Sequence, residues 1–161
     1  MDVDGVLTDG AVWWGPNGEE WKRFHFADIM GVSLARKAGM AIALISGENS
    51  PLVDQFARKL GIQDVEKGCK DKARALRTFS QRHGLSLEEV CFIGDDVNDL
   101  PALAIAGLSA CPANAHPCIR QNCQMVTKLS GGNGAVRELV DAVLASAKAE
   151  AAKTELDRQE N

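Results

Sequence analysis

The sequence predicts an α/β fold, a Rossmann-like three-layer sandwich with a central parallel sheet, on three observations. Continuous apolar runs at residues 40–45 and 90–93 have the length of strands buried on both faces. Stretches with helical start and stop signals lie between such runs. Strand, helix and strand in repetition imply a parallel sheet covered by helices, with sites at the loops leaving the strands' carboxyl ends.

The elements follow in chain order. Two aromatic-rich runs within residues 11–26 flank Gly15, Pro16, Asn17 and Gly18, and read as a protruding β-hairpin with a four-residue turn. Trp13, Trp14, Trp21, Phe24 and Phe26 are five of the chain's eight aromatic residues. A hairpin cannot bury that surface against itself, so it packs on another subunit or folds back on its own domain; the first is expected. His25 and Asp28 precede the first helix. After the strand at 40–45, Ser50 and Pro51 form an N-cap and first-turn pair for a helix that Gly61 stops near Leu60. A helix over 70–83 stops at Gly84, and Ser86 with Glu89 has capping-box spacing. The strand at 90–93 leads to a helix over 99–106, strands at 108–111 and 125–127, and a helix over 135–147. Residues 148–161, a mixture of Ala, Glu and Lys, read as a solvated helix extension or frayed tail.

Composition bounds the function. A chain of 161 residues, 45% hydrophobic, supports one domain, here residues 1–147. A net charge of -4 gives no global attraction for nucleic acid. No apolar run approaches the ~20 residues that span a bilayer, and no secretory signal pattern opens the chain. Five scattered cysteines, an odd number, fit a reduced, cytoplasmic compartment. Cys118 and Cys123 lack a second ligand pair, so zinc is not expected.

The chemistry concentrates at strand ends. Asp2 and Asp4 stand two residues apart where a strand gives way to a turn at Gly5; alone, such a pair is also a common turn pattern. A second acidic cluster, Asp95, Asp96 and Asp99, follows the run 90–93 and Gly94. Carboxylates at the end of an apolar strand lose solvation and repel one another unless a cation compensates. Two such clusters predict a shared hard-cation site with oxygen ligands suited to magnesium. Ser46 adds a hydroxyl after the strand 40–45, and Lys72 a candidate ammonium.

These residues resemble the motifs of the haloacid dehalogenase superfamily over roughly residues 1–147. Asp2 and Asp4 look like its first motif, Ser46 its second, Lys72 its third, and Asp95 with Asp99 its fourth. The resemblance implies a magnesium-dependent phosphatase: Asp2 as nucleophile, Asp4 as general acid and base, and Asp2, Asp4 (through its carbonyl) and Asp95 as metal ligands. It assigns Ser46, Gly47 and Lys72 to the phosphate, and Thr8 and Asp99 to supporting roles. The intervals Asp9 to Ser46 and Lys72 to Gly94 leave no room for a cap domain. That narrows the resemblance to the capless phosphatases of 2-keto-3-deoxy sugar acid phosphates, whose hairpins assemble a tetramer. The segment 130–138, with Gly131, Gly132, Gly134 and Arg137, fits that group as a loop of close backbone approach, or else as a flexible lead-in to the last helix.

Within that group, the octulosonate 8-phosphate enzymes carry arginines where this chain has Ser33, Glu48 and Phe56. Glu48 and Lys59 instead match a pair typical of deoxy-nonulosonate 9-phosphate phosphatases, so the nine-carbon acid is the expected substrate and the eight-carbon acid its alternative. His25 and Asp28 match substrate-loop positions; His25 equally fits an ordinary hairpin-end histidine, and Lys59 a solvated lysine. Only Met1 precedes Asp2, where the family has a full apolar strand, so either the chain starts late or its central strand is short, with a gap in the core. A rival is a non-catalytic assembly module like the one fused to sialic acid cytidylyltransferases; retention of Asp2 and Asp4 argues against it. A phosphomutase would want a cap to exclude water.

Overall fold

The computed structural model describes residues 1–159, with side chains through residue 153. β1 (Trp13–Trp14) and β2 (Glu20–Trp21) form the hairpin, followed by α1 (Phe26–Lys37). Then come β3 (Ala43–Ile45), α2 (Pro51–Leu60), β4 (Asp64–Glu66) and α3 (Lys72–His83). β5 (Cys91–Ile93), α4 (Leu100–Leu103), β6 (Leu108–Cys111), α5 (Pro117–Asn122), β7 (Met125–Val126) and α6 (Ala135–Gln159) complete the order.

The α/β expectation holds, with the parallel sheet in two ladders. β3 pairs with β4, and β6 lies between β5 and β7, all parallel. The first residues of the chain join the two. The Met1 ammonium donates to the Ala43 carbonyl at 2.9 Å, Ile45 N donates to the Met1 carbonyl at 2.9 Å, and Asp2 N donates to the Ile93 carbonyl at 3.0 Å. Beyond Met1, a cavity of about 70 Å³ opens between Ala41–Ile42 and Val90–Cys91, floored by Leu76, Phe79 and Leu139. Burial at that position also pushes the pKa of the Met1 ammonium down to about 6. The expected strand at 40–45 is shorter, Ala43–Ile45.

Alternation along the strands divides the core. Leu44, Ile93 and Ala110 face a cluster with Val32 and Ala35 of α1, Val53 and Phe56 of α2, and Val136 and Leu139 of α6. Ala43, Ile45, Phe92 and Cys111 face Leu76 and Phe79 of α3, Leu103 of α4 and Ile119 of α5. Side chains one residue apart point to opposite layers, so the strand register fixes both cores at once. Each large apolar side chain so buried contributes roughly 1.5–3 kcal/mol.

Capping follows the sequence closely. Ser50 caps α2 and Gly61 ends it at φ 63°, while Asp71 caps α3 and Gly84 ends it at φ 65°. The helix expected over 99–106 is shorter: a 3-10 turn over Val97–Asp99 and a single turn of α4. β4 and α5 have no counterpart in the sequence reading, β4 because its two carboxylates mask so short a strand. α6 continues past residue 147, with residues 148–153 exposed. The part of the tail over 160–161 lies outside the described residues.

The hairpin is shorter than its aromatic span. Trp13 pairs with Trp21 and Trp14 with Glu20, leaving Gly15–Glu19 as the turn. Phe24 lies outside it, stacked on Phe56 with ring centroids 4.4 Å apart, and Phe26 opens α1. Trp13, Trp14 and Trp21 are 52%, 75% and 55% exposed, so the tryptophan faces of the hairpin are not covered within the single chain.

Candidate active site

The site lies at the carboxyl ends of β3 and β5, with Asp2 between them. After Asp2 the chain makes a tight turn in which Leu7 N and Thr8 N donate to the Val3 carbonyl at 2.9 and 3.1 Å. The buried Thr8 hydroxyl accepts from Gly5 N at 3.3 Å and from Gly10 N at 3.2 Å, which locks the turn. Gly5 adopts φ +80°, and a Cβ there would stand 2.0 Å from the Asp95 carboxylate; only glycine lets the two acidic segments close on each other. The glycine loop buttresses the same turn. A Cβ on Gly131 would lie 1.8 Å from the Gly5 carbonyl oxygen, and Gly132 N donates to the Val6 carbonyl at 3.0 Å.

One ammonium faces two carboxylates. Lys72 Nζ is 2.9 Å from Asp2 Oδ2 and 2.6 Å from Asp99 Oδ1, with all three side chains nearly closed to solvent. Asp99 Oδ2 accepts from Asp95 N at 2.9 Å and Asp96 N at 3.3 Å, so both Asp99 oxygens are engaged. Burial works against the Lys72 charge, but Asp2 and Asp99 outweigh it and raise its pKa. Burial, then repulsion from Asp99, pushes Asp2 up to about 6 against the pull of Lys72. Burial, then Asp2 and Asp99, pushes Asp95 up to about 7.

Both shifts describe a site short of positive charge. Ligand oxygens of Asp2, Asp95 and Asp99 lie within 4.8 Å of one another. With Asp99 committed to Lys72 and two backbone amides, Asp2 and Asp95 are the carboxylates best placed for a hard cation. The donor set fits magnesium, which would relieve the repulsion that raises both pKa values.

Above these carboxylates is an open cleft of about 250 Å³ lined by Asp2, Asp4, Gly47, Glu48, Asp95 and Asn98, among others. Ser46 is buried at the end of β3, and its Oγ accepts from Glu48 N at 3.1 Å. Asp4 Oδ2 is buried without a hydrogen-bond partner, while Oδ1 meets Lys22 Nζ at 2.8 Å.

Several expected substrate contacts lie elsewhere. Asp28 is wholly buried, and its two oxygens accept from Gly134 N and Arg137 N at 3.0 Å each; it ties α1 to the start of α6 rather than lining the cleft. His25 caps α1, its Nδ1 accepting from Ala27 N at 3.2 Å. Lys59 is exposed, its Nζ 5.5 Å from the Phe26 ring centroid, and no ion pair joins it to Glu48 among the described residues. Of the three positions expected to replace arginines, only Glu48 lines the cleft. Phe56 is core, and Ser33 Oγ donates to the Ile29 carbonyl within α1. Sequence reasoning missed Asn98 and Lys22. Lys22 follows Trp21 with strand alternation, the one signal that it turns inward while the tryptophan turns out.

Comparison with known proteins bears on this arrangement. Residues 48–139 match the haloacid dehalogenase-like hydrolases. The 3-deoxy-D-manno-octulosonate 8-phosphate phosphatase of Escherichia coli K12 is 38% identical over 144 residues, which are 89% of this chain and 77% of that one. The chain belongs to the haloacid dehalogenase-like hydrolases. The octulosonate 8-phosphate phosphatase of Moraxella catarrhalis, solved with magnesium, phosphate and KDO, superposes with a TM-score of 0.87. It is 36% identical over 90% of this chain and 83% of that one. A cobalt-bound deoxy-D-mannose-octulosonate 8-phosphate phosphatase from Haemophilus influenzae gives 0.86 at 37% identity, covering 89% of this chain and 84% of that one. The phosphatase and magnesium expectations therefore stand for this haloacid dehalogenase-like hydrolase, on its relatives and on its own donor set.

Proposed function

We propose that this hydrolase cleaves the phosphate ester of a 2-keto-3-deoxy sugar acid, with 3-deoxy-D-manno-octulosonate 8-phosphate as its leading substrate. The observation that carries this is the meeting of Asp2, Asp95 and Lys72 under one cleft, in a chain similar to octulosonate 8-phosphate phosphatases over most of its length. The nine-carbon reading draws on Ser33, Glu48 and Phe56 in place of arginines and on the Glu48 and Lys59 pair, but Ser33 bonds within α1 and Phe56 is core. With Lys59 over Phe26, Glu48 alone supports it, and it becomes the second reading.

Magnesium would be held by Asp2, Asp95 and the Asp4 carbonyl, and when bound it neutralises charge on the phosphoryl group. An Asp2 oxygen attacks phosphorus, the ester oxygen leaves, and the proton it needs comes from Asp4. Water then attacks the phosphoryl group on Asp2 and gives its proton to the Asp4 carboxylate, which restores both residues. Lys72 keeps Asp2 ionised and, with Ser46 and the Gly47 backbone, serves the phosphate oxygens. Asp99 and Thr8 hold this set in place.

The exposed tryptophan hairpin supports a tetramer in which neighbouring chains close the open cleft. Five free cysteines fit a cytoplasmic setting. Among the described residues no helix is long and apolar enough to cross a membrane. Phosphate release from both sugar acid phosphates, with and without magnesium, tests the proposal. Release from neither would end it.

A further inference from the structure

Asp4 is held by a residue from outside every motif read in the sequence. Lys22 lies one position beyond β2, yet its side chain is 5% exposed, with Nζ 2.8 Å from Asp4 Oδ1 and 3.4 Å from Glu20 Oε1. Glu20 Oε1 also accepts from Ser50 Oγ at 2.8 Å, and the Ser50 hydroxyl caps α2 by accepting from Leu52 N at 3.3 Å. An unbroken polar chain thus runs from Asp4 through Lys22 and Glu20 to the fixed first turn of α2. A lysine on a flexible stem is a poor anchor when solvated, because holding it costs rotamer freedom. Here burial and a second carboxylate remove that freedom in advance. Asp4 lines the cleft, with one oxygen engaged by Lys22 and the other buried without a partner. A carboxylate gripped on one oxygen presents the other in a fixed direction.

We propose that Lys22 is a positioning residue for Asp4: it fixes the carboxylate rotamer so that Oδ2 faces the ester oxygen of the substrate, with Glu20 and Ser50 as its brace. The assignment rests on the reading of Asp4 as general acid and base. No bond to Lys22 forms or breaks in the reaction. The Asp4 proton goes to the leaving oxygen, and water later returns one.

Leaving-group dependence tests this, because a structural defect would slow every substrate alike. An alkyl phosphate needs the proton from Asp4, whereas 4-nitrophenolate leaves without one. In single-turnover measurements, Lys22→Met should slow cleavage of a sugar acid phosphate by roughly tenfold or more while changing the 4-nitrophenol burst less than about threefold. Lys22→Arg should recover part of the alkyl phosphate rate. Glu20→Gln, which keeps Lys22 but loosens its brace, should show the same pattern more weakly and serves if Lys22→Met fails to fold. Equal losses on both substrates, or no loss on either, would overturn the assignment. Asp4→Asn separates the two readings. If it discriminates between the substrates and Lys22→Met does not, only the Lys22 role fails; if Asp4→Asn does not discriminate, the acid/base reading itself fails.

Discussion

Lys72 Nζ stands 2.9 Å from Asp2 Oδ2, and both side chains are almost completely removed from solvent. The pair is unequal. Lys72 also has Asp99 at 2.6 Å, whereas Asp2 faces two other carboxylates and has its pKa raised to about 6.

Opposite stability effects should follow from cutting the pair at its two ends. Asp2→Asn replaces the proposed nucleophile with an isosteric amide and relieves repulsion. It should abolish phosphatase activity and leave the melting temperature at pH 8 unchanged or higher. Lys72→Met leaves Asp2 and Asp99 buried without their cation, a change that typically costs about 3–5 kcal/mol. Thermal unfolding of both variants beside phosphate release checks this. An active Asp2→Asn enzyme would refute the mechanism.

The acidic cluster sets a pH dependence whose sign is fixed. Asp2 and Asp95 rise from 3.8 to about 6 and about 7 on folding, so between about pH 4 and 7 the native state binds more protons than the unfolded chain. The stability these groups contribute is therefore full below about pH 4 and is lost as pH rises toward 7. Magnesium competes with those protons. Its stabilising effect should be larger at pH 8 than at pH 5.5, and its binding near pH 6 should release protons. Calorimetry in buffers of different ionisation enthalpy measures the release. Magnesium affinity independent of pH over this range would contradict the cluster's role.

What the sequence made legible divides along physical lines. Asp2, Asp4, Ser46, Lys72, Asp95 and Asp99 are set by element ends and by chemistry that tolerates few residue types; the fold joins Asp2, Lys72, Asp95 and Asp99, with Asp4 in the same cleft and Ser46 next to cleft-lining Gly47 in the chain. Asp28, Lys59 and Phe56 are placed by helix rotation and tertiary packing. A motif match gives their position in the chain but not the side they face. Asp28 shows the failure clearly: a carboxylate before a helix reads as a ligand, yet here it satisfies two backbone amides at the start of α6. The tryptophans were legible as a hairpin because turn chemistry is local. Lys22 was not, because its partner in the site lies in another segment.

Replacing Trp13, Trp14 and Trp21 with Ser tests the assembly. Their exposure in the single chain gives the substitutions little fold to disturb. If the proposed tetramer forms, light scattering should show a shift from tetramer toward monomer, with activity falling as the cleft loses the cover proposed for it. A wild-type monomer at full activity would exclude closure by a second chain.

Substrate choice is expected to turn on Glu48, the cleft-lining residue that departs from the expected arginines. Both candidate substrates bring a phosphate to the same carboxylates, so discrimination must arise at the distal carboxylate and hydroxyls. A carboxylate lining the cleft repels an acidic group but accepts hydrogen bonds from hydroxyls. We expect Glu48 to accept from the sugar chain, so Glu48→Gln should lower kcat/KM on the preferred sugar acid phosphate by up to about tenfold, the value of one lost charged hydrogen bond. The 4-nitrophenyl ester, which has no such hydroxyls, should be unaffected. A rise in kcat/KM instead would place the substrate carboxylate beside Glu48 and reverse the binding direction. In direct competition the eight-carbon phosphate should win over the nine-carbon one. A preference of about tenfold for the nine-carbon acid would show that Glu48 alone, without Lys59, is enough to change the substrate from that of the relatives.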